Sequence, residues 1–491
     1  MILESLIIVV YSVALLLIFM YALAQLNLLF NYLSARKHHK NSPTFDFSKE
    51  EEIPYVTIQL PVYNELYVMD RLLSNIAEMD YPKEKLEIQV LDDSTDESFE
   101  ETAKHIEALR KTGLDIQHVT RKNREGFKAG ALKEGLKIAK GEYIAIFDAD
   151  FLPKKNWLKN TIPYFKDEEI GVVQTRWGHL NRDYSILTRV QAFALDAHFT
   201  LEQVGRNSKG HFINFNGTAG VWRKECILDA GNWEGDTLTE DLDLSYRAQL
   251  KNWKFKYLEE VETPGELPVL MNAIKSQQYR WNKGGAETAR KNFKQVLFSK
   301  LSFLNKTHAF FHLFNSSVFV CLLIAAILSV PMLYIKSQHP HLEWIFDLGI
   351  VFIMGFLSIT LFYWVAAKRF HEPKPSKSFI SLYPRFLMVS MGLSLHNGIA
   401  VLEGLFGHKT PFIRTPKFNV TLKGDSWKGN DYVKIKLNAV TIMEGVLCLY
   451  FVFGIATGVY LKDMGLMFFH IMLMLGFGGV FYYSVKPTIH A

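Results

Sequence analysis

Long apolar segments near both ends of this chain restrict the folds that are open to it. Residues 6–30 form a mostly apolar run of about 25 residues, which is long enough to cross a lipid bilayer as a helix. Runs of similar length follow at 309–335, 344–367, 435–461 and 466–485. A long polar stretch lies between the first run and the second. The chain is therefore predicted to combine a soluble block with several membrane-spanning helices.

Basic residues beside these segments predict their orientation in the membrane. No small-residue cleavage site follows the first segment, so we interpret it as an anchor rather than as a signal peptide. Arg36, Lys37 and Lys40 follow it instead, and the positive-inside rule then places the soluble block in the cytosol. Lys368 and Arg369 put the end of the third segment on the same side. We expect an integral, multi-pass protein of the inner or plasma membrane, in contact with membrane lipid.

One further apolar segment, residues 379–406, allows two interpretations. It is long enough to span, but Pro384, Arg385, Glu403 and other polar residues interrupt it, and basic residues flank both of its ends. Basic flanks on both sides favour a helix in the cytosolic interface, which gives five spans, whereas a crossing would give six. Residues 293–308 mix lysine with phenylalanine and leucine and are also expected to lie at the interface.

These patterns divide the chain into eight parts. They are a membrane helix, a linker, a soluble domain, an interfacial helix, two membrane helices, a second interfacial helix, a cytosolic loop and a last pair of membrane helices. In that order they are expected to occupy residues 1–34, 35–54, 55–292, 293–308, 309–367, 374–406, 407–432 and 433–486. Three widely spaced cysteines match neither a disulfide framework nor a zinc site.

The soluble block alternates short β-rich runs with segments of helical periodicity. The runs at 56–60, 88–91 and 143–147 are rich in valine and isoleucine, and Pro61, Asp92 or Asp148 follows each of them. Such alternation predicts a mainly parallel sheet with helices on both faces. Ligands of these sheets bind beyond the carboxyl ends of the strands, so the three following residues are expected to converge on one crevice.

Carboxylates in this crevice suggest metal-assisted chemistry. Asp148 and Asp150 end a buried run, and a hard divalent cation such as Mg²⁺ or Mn²⁺ prefers carboxylate and phosphate oxygens. Asp241 is the candidate general base, with Glu240 as the alternative. In isolation an acidic step of this kind usually belongs to a solvated turn or a helix N-terminus. Together these carboxylates suit transfer of a sugar from a nucleotide to a hydroxyl group.

Further residues are candidates for binding the two substrates. Lys128 and Gly130 open a predicted helix, whose N-terminal N–H groups suit a diphosphate. Residues at strand ends are expected to contact the nucleotide sugar: Pro61, Tyr63, Glu65, Asp92 and Asp93. Helical spacing places Gln277 on one face with Arg280 or Trp281. Arg280 would stabilise developing diphosphate charge, and the Trp281 ring would stack on an acceptor sugar.

Taken in order, these residues resemble the processive family 2 glycosyltransferases, the group of cellulose and hyaluronan synthases. The resemblance rests on Asp92-Asp93, Asp148-Ala-Asp150, Thr239-Glu240-Asp241 and Gln277-x-x-Arg280-Trp281. It implies an α/β catalytic domain of the GT-A type, which is Rossmann-like, plus an α-helical transmembrane domain. Residues 418–423 resemble the gating loop of cellulose synthases, so Thr421 and Lys423 are expected to reach the nucleotide.

A narrower resemblance points to the plant cellulose-synthase-like A and C groups. It is carried by residues 173–177, 215–222 and 253–257. Those groups make β-1,4-mannan or glucomannan backbones and the β-1,4-glucan backbone of xyloglucan. By this resemblance Phe215, Asn216 and Gly217 would line the acceptor site beside Trp281.

The expected function is inverting, metal-dependent transfer of hexose from UDP-glucose or GDP-mannose to a growing glycan that is threaded across the membrane. The alternative is transfer of one sugar to a lipid such as ceramide or a polyprenyl phosphate. A transporter or an inactive scaffold would not require the acidic and aromatic motifs. The small net charge of +5 gives no sign of a nucleic-acid partner.

Glu444 lies inside a predicted span and is expected to contact either the glycan or a neighbouring helix.

Overall fold

The computed structural model describes residues 2–36, 43–45, 53–340, 350–370, 373–428, 430, 432 and 437–489. Most of the expected linker at 35–54 lies outside these residues. So do the basic residues 37–40, the start of the segment at 344–367 and residues 433–436 before the last helix pair.

A mixed sheet of seven strands forms the centre of the soluble block. The strands are β1 (Val56–Val62), β2 (Leu86–Asp92), β3 (Asp115–Thr120), β4 (Tyr143–Ile146), β5 (Ile170–His179), β6 (Gly220–Arg223) and β7 (Lys254–Gly265). Their order in the sheet is β3-β2-β1-β4-β6-β5-β7, and β6 alone runs antiparallel to its neighbours. The predicted α/β fold with a mainly parallel sheet is confirmed. The antiparallel strand β6 was not predicted.

Strand β1 continues through Pro61, where it was expected to stop. The N–H of Asp93 donates to the carbonyl of Val62, and that of Phe147 donates to the carbonyl of Gln59, so odd-numbered residues of β1 face β4. The pairing of β1 with β4 ends at Gln59 and Ile146. Pro61 therefore occupies a position where β4 offers no partner, and its missing N–H costs the sheet no hydrogen bond.

Seventeen α-helices surround or follow the sheet within the described residues. They are α1 (Ile2–Ala35), α2 (Met69–Ala77), α3 (Ser98–Arg110), α4 (Phe127–Ile138), α5 (Trp157–Thr161), α6 (Ile186–Ala197), α7 (Gln203–Asn207), α8 (Lys224–Asp229), α9 (Glu240–Leu250), α10 (Met271–Phe298), α11 (Phe303–Leu313), α12 (Val318–Gln338), α13 (Ile350–Phe370), α14 (Pro375–Gly392), α15 (Ser394–Phe406), α16 (Ala439–Tyr460) and α17 (Met467–Ile489). A π-helical turn, His198–Glu202, joins α6 to α7.

Helices cover both faces of the sheet, as the alternation of elements predicted. Leu72 of α2 and Ile106 of α3 belong to the core on one face. Leu132 of α4, Ile227 of α8 and Leu244 of α9 belong to the core on the other. The carboxyl ends of the central strands are therefore left open at one edge, and the catalytic candidates lie at that edge.

Among the residues that the structure describes, α1, α12, α13, α16 and α17 are long and apolar enough to cross a membrane. Helices α14 and α15 meet at a bend of 50° and would add a sixth crossing only if the bent pair counts as one span. The sequence left open whether the chain has five or six spans, and the answer depends on whether this bent helix pair crosses the membrane. Residues 293–308 are divided between the end of α10 and the start of α11.

A buried ion pair joins the membrane helices to the soluble block. Nζ of Lys275, on α10, lies 2.5 Å from Oε2 of Glu444 on α16, and both side chains are buried. Nζ of Lys275 also donates to Thr441. The structure shows Glu444 in contact with a neighbouring helix, α10, which is one of the two partners that the sequence predicted.

Candidate active site

The carboxyl ends of β1 and β2 form the first wall of the crevice. Oδ2 of Asp92 lies 2.8 Å from Nε2 of His118, and Oδ1 accepts from the N–H of Ser94. The side chain of Asp92 is fully buried, so it supports the wall from behind. Asp93 is held in a two-point pair by Arg121, with distances of 2.6 and 2.5 Å.

Tyr63 supplies a flat surface beside these carboxylates. The Arg124 guanidinium carbon lies 3.3 Å from the centre of the Tyr63 ring and also faces the Phe127 and Phe412 rings. The Arg124 guanidinium therefore covers one face of the Tyr63 ring. The aromatic cluster was not predicted as a group, although Tyr63 was.

The metal candidates follow β4, and a lysine neutralises each of them. Nζ of Lys128 lies 2.5 Å from Oδ1 of Asp148, and Nζ of Lys417 lies 2.6 Å from Oδ2 of Asp150. Oδ1 of Asp150 is buried without a hydrogen-bond partner among the described residues. An unsatisfied carboxylate oxygen next to a second carboxylate is a suitable donor set for Mg²⁺ or Mn²⁺. The residues present therefore fit a divalent cation.

A second acidic cluster lies around the Lys291 side chain of α10. Glu234, Asp236 and Asp243 bring their oxygens close together, but Nζ of Lys291 already lies within 3.1 Å of each of them. Because this ammonium already contacts all three carboxylates, the cluster joins α9 to α10, and we assign no metal to it.

Asp241 lies in the first turn of α9, next to the metal candidates. A Cβ added to Gly217 would lie 3.0 Å from Oδ2 of Asp241, and the carbonyl of Gly217 accepts from Nζ of Lys128. Burial and the neighbouring Glu240 raise the pKa of Asp241 to about 7. Burial also raises the pKa of Glu240, whose carboxylate lies 4.0 Å from Nζ of Lys128. A carboxyl group with a pKa near 7 is well matched to general-base work.

Helix α10 carries Arg280 to the carboxylates of the crevice, while Gln277 and Trp281 of the same helix line the cavity described below. The Arg280 guanidinium is buried, which lowers its pKa, while the charges of Asp148, Glu240, Asp150 and Asp241 act in the opposite direction. It donates to Oγ1 of Thr415 and lies over the Phe412 ring. The predicted acidic groups Asp148, Asp150, Glu240 and Asp241 thus lie close enough to the predicted arginine to influence its charge.

Described residues of loop 407–432 contact this site, and two of them, Arg414 and Lys417, were not predicted as site residues. Arg414 pairs with Glu65 at 2.7 Å, and Lys417 pairs with Asp150 as described above. The backbone N–H groups of Phe418 and Val420 donate to Oε1 of Glu266. Glu266 directly follows β7, so the strand-end rule that found the other carboxylates would also have found it.

Thr421 and Lys423 of the loop and Gly130 near the start of α4 were predicted to bind the nucleotide sugar, and each has a different environment. The N–H and the hydroxyl of Thr421 donate to Asp425, and Lys423 is exposed. At the start of α4, a Cβ added to Gly130 would lie 2.0 Å from the Glu125 carbonyl oxygen. Because Gly130 has no side chain, the loop that carries Arg121 can pack against the start of α4.

A central cavity of about 1450 Å³ leads away from the catalytic residues. Thr239, Asp241, Gln277 and Trp281 line its catalytic end, together with Gln278, which was not predicted. Residues of α1, α6, α12, α13, α14 and α17 line the remainder. Asp241 and Trp281, the candidate base and the candidate stacking residue, therefore face a space that continues between the membrane helices.

The three predicted acceptor residues have different positions. Asn216 lines the central cavity, and Gly217 lies against Asp241. Phe215 is fully buried and packs edge-on against Trp222, so it belongs to the core beneath the sheet. The expectation that Phe215 lines the acceptor site is thereby corrected, because adjacent residues of an extended segment point to opposite sides. Trp177, which lines the cavity 6.4 Å from the Trp281 ring, was quoted only as part of a family resemblance.

Comparison with known proteins gives one family match and several relatives. A family model described as "Glycosyltransferase like family 2" matches residues 54–284. Glucomannan 4-beta-mannosyltransferase 1 of Oryza sativa subsp. japonica is 37% identical over 387 residues, which are 75% of this chain and 70% of that protein. Glucomannan 4-beta-mannosyltransferase 2 of Arabidopsis thaliana is 33% identical over 419 residues, with shares of 80% and 73%.

A solved structure shares the fold. It is the mannosyltransferase PcManGT from Pyrobaculum calidifontis in complex with GDP-Man and Mn²⁺, with a TM-score of 0.53 and 19% sequence identity. The match covers 82% of this chain and the whole of that one. At this identity the likeness concerns the fold alone.

Proposed function

Since this chain belongs to glycosyltransferase family 2, within the cellulose synthase superfamily, we propose that it polymerises mannose from GDP-mannose into a β-1,4-linked glycan. The observation that carries the proposal is the position of Asp241 and Trp281 at one end of a cavity that continues between the membrane helices. The names of its plant relatives, glucomannan 4-beta-mannosyltransferases, favour GDP-mannose over UDP-glucose as the donor.

Asp241 acts as the general base in this proposal. Its carboxylate takes the proton of the acceptor hydroxyl while that oxygen attacks the anomeric carbon of the donor. The new carbon–oxygen bond forms as the bond to the β-phosphate oxygen breaks, and the nucleoside diphosphate leaves with the electron pair. A single displacement inverts the anomeric centre, so an α-linked donor gives a β-linked product. General-base assistance of this kind is worth about 10²–10⁴ in rate.

Positively charged groups of the chain stabilise the leaving diphosphate. Arg280 is partly buried near the carboxylates, and in this proposal it pairs with the charge that develops on the leaving group. Asp148 and Asp150 would hold Mg²⁺ or Mn²⁺, which neutralises diphosphate charge when bound. Lys128 and Lys417 now neutralise these two carboxylates, so one or both must move when the cation and the donor enter.

The membrane helices provide the route for the product. A glycan extended at Trp281 would enter the central cavity and leave on the far side of the membrane. Arg369, at the end of α13, pairs with Glu259 and Glu260 of the catalytic domain. The basic end of this helix therefore lies beside the catalytic domain, which supports a cytosolic position for that domain.

Purified protein in lipid nanodiscs tests the proposal directly. It is incubated with radiolabelled GDP-mannose or UDP-glucose in the presence of Mn²⁺, and the products are sized and digested with linkage-specific hydrolases. We expect a polymer from GDP-mannose that an endo-β-1,4-mannanase degrades. A product consisting of a single labelled sugar on a lipid would contradict polymerisation, and label incorporated from UDP-glucose alone would contradict the donor.

A further inference from the structure

The first turn of α9, which carries the proposed base Asp241, is held by contacts from α10. Thr239 occupies the N-cap position of α9, where a threonine hydroxyl commonly accepts a hydrogen bond from the helix backbone. Within the described part of the chain its side chain makes no such cap. Its hydroxyl lies instead 3.1 Å from Oγ1 of Thr288 on α10. The position of this turn therefore depends on a second helix.

One face of α10 supplies the contacts to the segment that precedes the base. Oε2 of Glu287 accepts a hydrogen bond from the N–H of Leu238 at 2.8 Å. A Cβ added to Gly284 would lie 2.5 Å from Cγ2 of Thr239, so the backbone of α10 packs directly against this residue. Gly284, Glu287 and Thr288 are three and four residues apart, a spacing that places them on the same side of a helix.

The same helix carries the residues that are proposed to meet the substrates. Arg280 lies one turn before Gly284, and Trp281 follows it. A helix rises 1.5 Å per residue, so Glu287 lies about 9 Å along the axis from Trp281. One rigid element thus bears both the ring for the acceptor sugar and the carboxylate that holds the segment before Asp241. The distance from the base to the acceptor therefore depends on the contact between Glu287 and Leu238.

We propose that Glu287 is a positioning residue for the general base. Through the N–H of Leu238 it fixes Asp241 where the carboxylate can reach the hydroxyl of an acceptor sugar at Trp281. Among the described residues that line the central cavity Glu287 does not occur, so it acts through the backbone and not on the substrate. The inference rests on the proposed function, in which Asp241 takes the acceptor proton. A displacement of about 1 Å in such a site can lower the rate about 10²-fold.

Three substitutions of Glu287 separate its geometry from its charge. Glu287→Gln keeps the length of the side chain and an oxygen that accepts the Leu238 N–H, but it removes the charge. Glu287→Asp keeps the charge and shortens the side chain by one methylene group, and Glu287→Ala removes the acceptor altogether. The side chain is partly exposed, so these changes leave the buried face of α10 intact. If position is what matters, Gln preserves the function and Asp behaves like Ala.

Glu234 offers a matched control for loss of a contact between α10 and the segment before α9. Its Oε2 lies 2.5 Å from Nζ of Lys291 on α10. In Glu234→Ala this lysine keeps its contacts with Asp236 and Asp243. Both glutamates therefore join the same two parts of the chain, but Glu287 alone of the pair binds the backbone next to Thr239.

The experiment measures steady-state turnover of the full chain in nanodiscs with GDP-mannose and Mn²⁺. We expect kcat for GDP formation to fall about 10- to 100-fold in Glu287→Ala and Glu287→Asp, with KM for GDP-mannose changed less than about twofold. Glu287→Gln and Glu234→Ala should stay within about twofold of the wild type in both constants.

A second readout is the ratio of GDP formed to mannose incorporated into polymer. This ratio should rise in Glu287→Ala and Glu287→Asp, because water, which needs no stacking ring, then competes with the displaced acceptor for the anomeric carbon and releases free mannose and GDP. A misfolded fraction would lower kcat but would leave this ratio and KM unchanged.

Four outcomes would overturn the proposal. Wild-type kcat and ratio in Glu287→Ala and Glu287→Asp would exclude a positioning role while leaving the proposed function intact. An equal loss in Glu287→Gln would assign the effect to charge, and a lower kcat with an unchanged ratio would assign it to folding. Wild-type turnover in Asp241→Asn would instead refute the proposed base, and the positioning role would fall with it.

Discussion

Two lysine–carboxylate pairs of nearly equal length hold two different regions of this molecule. Lys417 and Asp150 approach to 2.6 Å in the donor crevice, and Lys275 and Glu444 approach to 2.5 Å where α10 meets α16. The first pair joins a covering loop to a candidate metal ligand. The second joins α10 to α16 through buried side chains, and Glu444 is fully buried. Two pairs of nearly equal geometry thus have different roles in the proposed function: the donor and its cation would replace the first lysine, whereas the second pair stays intact.

The same contrast extends to the surroundings of the pairs. In the donor crevice most carboxylates have a cationic partner from the chain, as Asp93 has Arg121 and Asp148 has Lys128. These charges compensate one another until ligands arrive. The central cavity has few charges and is already open between the helices. The crevice must therefore rearrange on binding, whereas the cavity is preformed.

The largest expected effect distinguishes Asp241, the proposed base, from its neighbour Glu240. Asp241→Asn should lower the rate of GDP formation by about 10²–10⁴, because the amide cannot accept the acceptor proton. Glu240→Gln should cost much less, since its carboxylate faces Lys128. Steady-state rates of GDP formation by both variants in nanodiscs show which of the two carboxylates is the base. A nearly inactive Glu240→Gln beside an active Asp241→Asn would exchange their roles.

The next prediction concerns the pair that no ligand replaces. Glu444→Gln leaves the ammonium of Lys275 buried without its counter-charge, and breaking a buried ion pair in this way costs about 3–5 kcal/mol. We expect a clear fall in the thermal midpoint of the purified protein, read from intrinsic tryptophan fluorescence. The double variant Lys275→Met with Glu444→Gln should recover much of the loss, because no isolated charge remains. An unchanged midpoint in Glu444→Gln would show that the pair is solvated and dispensable.

The pH dependence of the reaction offers a smaller, graded test. With a pKa of about 7, Asp241 is half protonated at neutral pH and must lose that proton to act as the base. The rate under subsaturating substrate should therefore fall about tenfold for each pH unit below the pKa and level off above it. If the Asp241 carboxyl controls this pH dependence, the rate of Asp241→Asn should not vary with pH over the same range. A flat profile between pH 5.5 and 7 would contradict the assignment.

The sequence predicted the donor crevice far better than it predicted the central cavity, and the reason is geometric. Asp148, Asp150 and Asp241 follow strand ends or begin a helix, and parallel strands bring such positions to one edge. Glu266 obeys the same rule but was missed, because β7 was not recognised as a strand.

The cavity wall follows no such local rule. Its residues lie on one face of each of several helices, and which face turns inward depends on how helices distant in sequence pack. His198 and Glu202, which line this wall, therefore gave no signal, and neither did the contact of Gln25 with Glu202. Phe215 and Asn216 show the limit of a motif, since it identified the segment but not which side chain faces the cavity.

The smallest expected effect returns to Lys417 and tests whether its pair is indeed the replaceable one. Lys417→Met removes the ammonium from Asp150, whose other oxygen has no partner within the described residues. A cation would then no longer compete with a lysine for this carboxylate. Mn²⁺ should bind the nucleotide-free protein about tenfold more tightly, a gain of about 1.4 kcal/mol.

The affinity is measured by the loss of the free Mn²⁺ signal in electron paramagnetic resonance, without any turnover. Lys428→Met serves as the control, because this exposed lysine lies in the same loop. Equal affinity in both variants would mean that Lys417 does not occupy the place of the cation. The contrast between the two lysine pairs would then rest on burial alone.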